Sequence, residues 1–121
     1  MAEPVMIIQG KQVDSQNEYW IAQALDQYKM GYQYQYSLFG GDLRGGVILD
    51  FLIDGPRPIP VQVGKGGYWH AGNKGAADML EAWRINQYGK KMGWDPLIEL
   101  TLPETGDPLS ALATVRQKLY A

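Results

Sequence analysis

Cysteine is absent from this 121-residue chain, histidine occurs once and phenylalanine twice. Without a thiol there is no disulfide framework and no thiolate metal site, which fits a reducing compartment such as the cytoplasm. No apolar run is long enough to cross a bilayer, and the N-terminus lacks the basic start and continuous apolar core of a signal peptide, so no membrane association is expected. Blocks of like charge are missing too. The formal charge of -2 excludes a strongly basic protein, so any nucleic-acid contact has to come from a local patch. What is present is 45% hydrophobic residues, enough for one compact domain over residues 1–121 with a real core.

The chain is organised around Gly45 to His70, GGVILDFLIDGPRPIPVQVGKGGYWH. Val47 to Ile53 holds six apolar residues of seven, the composition of a strand covered on both faces. Asp50 interrupts it. A carboxylate there is costly to bury unless a cation, a hydrogen-bonding partner or water meets it. Asp54-Gly55 signals a turn and Ile59 to Val63 a second strand, with Gln62 inside it. These two polar groups, followed by Gly64-Lys65-Gly66-Gly67 and Tyr68-Trp69-His70, suggest a site at one end of a sheet.

Before this stretch, Val5 to Ile8 suits a short strand or an extended arm. Glu18, Ile21, Ala22, Leu25 and Tyr28 recur at helical spacing, predicting a helix from about Gln16 to Met30 with Gly31 as its stop. Glu18 shares the face of Ile21, Ala22 and Leu25, which directs it toward the sheet; Ser15-x-x-Glu18 is also a capping box. Tyr32 to Leu38 alternates, with Tyr32, Tyr34 and Tyr36 on one face and Gln33 and Gln35 on the other. Phe39 to Gly46, with four glycines and Arg44, is a turn.

After His70 a helix is predicted from about Ala76 to Met92, with Ala76, Leu80, Trp83, Gln87 and Tyr88 on one face and Gly93 closing it. Gly89 within it marks a close contact or a kink. Leu97 to Leu102 is a further strand, and Asp107-Pro108 opens a last helix through about Tyr120. The expected architecture is a mixed α/β sheet of about four strands flanked by helices.

In this order the pieces resemble the PD-(D/E)XK nuclease superfamily, the restriction-endonuclease-like fold, and especially its very short patch repair and Holliday-junction-resolvase-like branches. They are Glu18 in E-x-x-I-A-x-A-L, Tyr34-Gln35, G-G-V-I-L-D-F-L-I around Asp50, V-Q-V, Tyr68-Trp69-His70 and G-W-D-P-L-I-E-L, spanning roughly Ser15 to Leu102. The resemblance implies a DNA-processing endonuclease in which carboxylates gather magnesium or manganese beside a scissile phosphate, withdrawing its charge and activating water. Asp50 then matches the motif aspartate and Glu18 the first-helix glutamate. Gln62 stands where the second acid belongs, completing a metal set of Asp50, Glu18 and Gln62. Gly64 occupies the motif's lysine position. Lys65 is adjacent and His70 matches a histidine that assists catalysis in the patch repair branch.

The departures Gln62 and Gly64 remove one anionic ligand and one cation, so weak or absent cleavage is expected. The alternative is an inactive nuclease-fold protein serving as a DNA-binding or structural subunit, such as one in a phage or mobile-element assembly within the host cytoplasm, or a homodimer. Arg44, Lys65 and Lys74 are the candidate phosphate contacts. From Lys65 to Lys91 there are five Lys or Arg against Asp78 and Glu81, an excess that suits phosphates or a solvated helix face. Trp69 and Trp94 suit either stacking on an unpaired base or burial.

Overall fold

The computed structural model describes residues 6–13, 15–41, 43–64 and 76–120. It opens with a small hairpin in which β1 (Ile7–Ile8) pairs antiparallel with β2 (Lys11–Gln12). The turn residues Gln9 and Gly10 both have positive φ, +49° and +80°, the twist that a two-residue hairpin turn requires. Ile8 therefore belongs to a strand, and its partner β2 is an element that the short apolar run did not announce.

Helix α1 (Gln16–Gln27) starts at Ser15, whose hydroxyl oxygen accepts from the Glu18 N–H, and buries Ile21, Ala22, Ala24 and Leu25. It ends three residues before the expected Met30. Lys29 takes φ +57°, and the N–H groups of Lys29 and Met30 donate back to the carbonyls of Asp26 and Leu25, so lysine fills the left-handed closing position usually given to glycine. Gly31 has another task. Its carbonyl accepts from the Asp54 N–H at 2.9 Å, joining the chain after α1 to the end of the Val47–Ile53 strand, and a Cβ at Gly31 would come within 2.6 Å of the tip of the exposed Asp54 side chain.

The main sheet has the order β3-β4-β5-β6. Strands β3 (Tyr32–Leu38), β4 (Val47–Ile53) and β5 (Ile59–Val63) run antiparallel in sequence, and β6 (Ile98–Leu100) lies parallel to β5 after the crossover through α2 (Ala76–Met92). The coarse α/β class with a four-stranded mixed sheet holds. Strand β6 is shorter than Leu97 to Leu102 because side chains divert the flanking backbone donors: Leu97 N–H goes to Asn86 and Thr101 N–H to Glu104. Helix α3 (Pro108–Thr114) begins at the Asp107 cap and continues as a π-helical turn over Val115–Leu119.

One face of the sheet packs Phe51, Ile53, Tyr34, Val61 and Leu100 against Ile21 and Leu25 of α1 and Ala111 and Val115 of α3. The other packs Leu38, Val47, Leu49 and Leu52 against Ile85 of α2 and Trp94. Each fully buried large side chain contributes about 1.5–3 kcal/mol of apolar burial. Gly89 marks a close contact, since a Cβ there would lie 3.3 Å from Trp94.

Two expectations about faces are corrected by this packing. Tyr36 leaves the face of Tyr32 and Tyr34 and packs near Trp94 with the second cluster. The cause is Gln35, whose φ of +57° reverses the alternation within β3. Strand β4 switches at the same level: Val47 and Leu49 face α2, whereas Phe51 and Ile53 face α1. Helix α2 is rotated relative to its expected apolar stripe. It buries Ile85 and Gly89, while Leu80 and Trp83 are 57% and 59% exposed.

Candidate functional site

The face switch places Gln35 and Asp50 opposite each other, between the paired residues Tyr34↔Phe51 and Tyr36↔Leu49. On its other side, the β4–β5 ladder runs from Ile53↔Ile59 to Phe51↔Val61. At the next level side chains replace it. The Asp50 N–H donates to Gln62 Oε1 at 2.7 Å, and Asp50 Oδ2 accepts from the Val63 N–H at 2.7 Å. Gln62 Nε2 donates to the Ile48 carbonyl at 3.3 Å and to Glu81 Oε1 at 3.0 Å.

Gln62 is 3% exposed, so these bonds carry its desolvation. A glutamine suits the position because it needs an acceptor toward Asp50 and donors toward Ile48 and Glu81 at once. Asp50 and Gln62 are neighbours on adjacent strands, as their order in the chain requires.

Glu18 points from α1 to the sheet and meets Tyr34 on β3. Its Oε1 accepts from the Tyr34 hydroxyl at 2.5 Å, and its Oε2 accepts from the Ser15 hydroxyl at 3.1 Å. The capping box is thus altered: Glu18 receives the Ser15 side chain, and the same carboxylate ties the helix start to the sheet. Its direction toward the sheet is as read from its helix face, while its contact at the helix start is with the Ser15 hydroxyl in place of the Ser15 backbone N–H.

Arg44 lies exposed in the turn between β3 and β4. Lys65, His70, Lys74 and Trp69 lie outside the described residues. Trp94 is 6% exposed and packs edge-on to Tyr36 and Tyr88, so it belongs to the core and offers no face to a base. Gly64 has φ +75°, and a Cβ there would lie 3.2 Å from Leu102, which accounts for glycine at this position, where the expected motif would have lysine.

Magnesium requires a hard, oxygen-rich shell. Asp50 supplies one carboxylate already receiving an N–H, Gln62 a neutral oxygen turned onto the Asp50 N–H, and Glu18 two oxygens bound to hydroxyls. Among the described residues no group of three or more His, Asp or Glu side chains is gathered so as to hold a metal ion. The bonds described join Asp50 and Gln62 in a hydrogen-bonded clasp between β4 and β5, while Glu18 ties α1 to β3.

Candidate site residues that the sequence pattern did not single out are Trp83 and Arg57, which line an open cleft with Asn86, Gln87 and Lys90. An apolar residue at helical spacing with the rest of α2 carries no sign that it faces outward. No protein-family model, curated protein or solved structure matches this chain.

Proposed function

We propose that this chain is a restriction-endonuclease-like protein that binds nucleic acid without cutting it. The reading is supported by the element order α1-β3-β4-β5-α2-β6, with Asp50 and Gln62 side by side on β4 and β5 where a nuclease of this kind carries its two motif acids. The observation that carries it is the engagement of Gln62: its oxygen accepts from the Asp50 backbone and its nitrogen donates to Glu81, so the group serves the fold where a cleaving enzyme needs an anionic ligand. With Gly64 in a left-handed conformation, lysine is also missing from the position that would stabilise charge on the phosphate.

The test is incubation of the full chain with supercoiled plasmid and with single-stranded DNA, in magnesium and separately in manganese. Binding with intact substrate is expected. Nicking that disappears in Asp50→Ala overturns the non-cleaving reading and restores metal-dependent hydrolysis. Failure to retain either DNA form at low salt overturns the nucleic-acid reading.

A further inference from the structure

Two clefts meet at Trp83. A cleft of about 580 Å³ on one side is lined by Arg57, Trp83, Asn86, Gln87, Lys90 and the Gly93–Pro96 segment. On the other side a second cleft of about 270 Å³ is lined by Phe39, Trp83, Arg84, Gln87, Tyr88 and Lys91. Trp83 is therefore a ridge between two hollows, with 59% of its surface exposed. The charged residues lining both hollows are Arg57, Arg84, Lys90 and Lys91 against a single acid, Asp95, which is paired to Arg57 at 2.7 Å. A cationic face on a chain of formal charge -2 is a segregation of charge, not a reflection of composition.

The surface is also held in place. Arg84 lies 4.3 Å over the Phe39 ring, Phe39 packs edge-on to Tyr88, and Tyr88 to the buried Trp94. The guanidinium is thus fixed on an aromatic support with its N–H groups free to face an anion.

We infer that the outer face of the C-terminal half of α2 is a platform for single-stranded nucleic acid, with a base stacked on Trp83 and backbone phosphates met by Arg84, Lys90 and Lys91. The inference rests on the nucleic-acid reading above and assigns it a place separate from the Asp50–Gln62 clasp. A protruding indole needs a base whose π-face is uncovered, which single strands offer and paired duplex does not. With Arg57 held by Asp95, Arg84, Lys90 and Lys91 remain around that ring and suit a polyanion threaded along the two hollows. An apolar protein partner would give these three cations no counter-charge.

The experiment measures binding of a fluorescein-labelled oligothymidylate and of a duplex to the full chain by anisotropy, with tryptophan fluorescence recorded in parallel. The single strand is expected to bind tighter than the duplex and to quench fluorescence. Trp83→Ala should weaken single-strand binding about ten-fold or more. Trp83→Phe should keep most of the affinity but lose the quench, identifying the stacked ring. In Lys90→Ala/Lys91→Ala the slope of log affinity against log salt should fall by about 0.7 per cation removed. The three substituted side chains are exposed, so unchanged thermal melts are expected to accompany these losses.

Three results overturn the platform. If duplex and single strand bind equally and neither substitution alters them, nucleic acid is bound elsewhere and only this surface falls. If polyglutamate competes as well as oligothymidylate and Trp83→Ala is without effect, the face is a charge patch with no stacking site. If the chain dimerises in sedimentation, Trp83→Ala is monomeric, and no oligonucleotide binds, the occupant is a second copy and the nucleic-acid reading fails with it.

Discussion

The Gln62 amide donates to the Glu81 carboxylate across 3.0 Å, joining β5 to α2 from a side chain that is 3% exposed. This pair decides what happens when the nuclease motif is restored. In Gln62→Glu a second carboxylate faces Glu81 and the Ile48 carbonyl, where the wild-type amide supplied donors. Two carboxylates so close share a proton, and the pKa of the introduced group rises. A raised folded-state pKa contributes stability below the unfolded value of about 4.3 and loses it as pH climbs.

Gln62→Glu is therefore expected to be close to wild type near pH 4–5 and destabilised by about 3 kcal/mol at pH 7. Urea unfolding at the two pH values measures this. An unchanged midpoint at pH 7 would show that Gln62 is not bonded as described. Adding Gly64→Lys is expected to cost a further 1–2 kcal/mol or about that, because φ at Gly64 is +75° and L-residues resist this region.

The left-handed Gln35 leads to a second expectation, one that opposes strand propensity. Valine is a better strand former than glutamine, yet at φ +57° its branched Cβ meets the backbone, so Gln35→Val is expected to destabilise by about 1–2 kcal/mol. Gln35→Gly relieves the conformation and loses only the 3.4 Å bond from Gln35 Nε2 to the Tyr34 hydroxyl, so it should match or exceed wild type. Chemical denaturation ranks the three proteins. Valine ranking above glycine would mean that the strand can straighten without penalty.

Strands β3, β4 and β5 and helix α2 begin and end where run lengths and the flanking Gly and Pro residues predict, because those boundaries depend on local chemistry. Three features depend on distant partners and were not legible. The closure of α1 at Lys29 leaves Gly31 beyond the helix end, where its carbonyl accepts from the distant Asp54 N–H at 2.9 Å. The rotation of α2 follows from Gly89, which admits Trp94 closely and brings Ile85 to the sheet, and a glycine contributes nothing to a hydropathy stripe.

The third feature is the clasp itself. Asp50 and Gln62 stood out as polar interruptions of apolar strands, and their adjacency followed from the turn between them. Their bonding did not, since Glu81 is 19 residues further along and its helix is oriented only by the folded core.

Tyr32 offers a test at high pH. Burial, reinforced by the Asp26 carboxylate beside it, pushes its hydroxyl up to about 12 from its ordinary value of 10.0. Between these values the folded chain keeps a proton that the unfolded chain releases, so this contribution to stability is full below pH 10 and declines until about pH 12. Tyr32→Phe removes the titration. The stability difference between wild type and variant, followed by urea midpoint, should be level up to pH 10 and then shift in the variant's favour. A difference that stays level to pH 12 would show an unshifted hydroxyl.

Glu18 joins helix start and sheet, and its two bonds can be separated by substitution. Tyr34→Phe removes the hydroxyl that donates to Oε1 at 2.5 Å and leaves a half-buried carboxylate with the Ser15 hydroxyl as its remaining donor among the bonds described. Hydrogen bonds to charged groups contribute about 1.5–3 kcal/mol, so a loss in that range is expected. Glu18→Gln keeps an oxygen for Tyr34, and its amide can donate to Ser15, whose hydroxyl oxygen already accepts the position 18 N–H. Its cost should stay below about 1 kcal/mol, as glutamine also suits this position of a helix start. In a double-mutant cycle the two substitutions should couple, because Tyr34→Phe in the Glu18→Gln background no longer strands a charge. Additive losses would mean that Tyr34 and Glu18 act independently, and would return Glu18 to a role outside the α1–β3 junction.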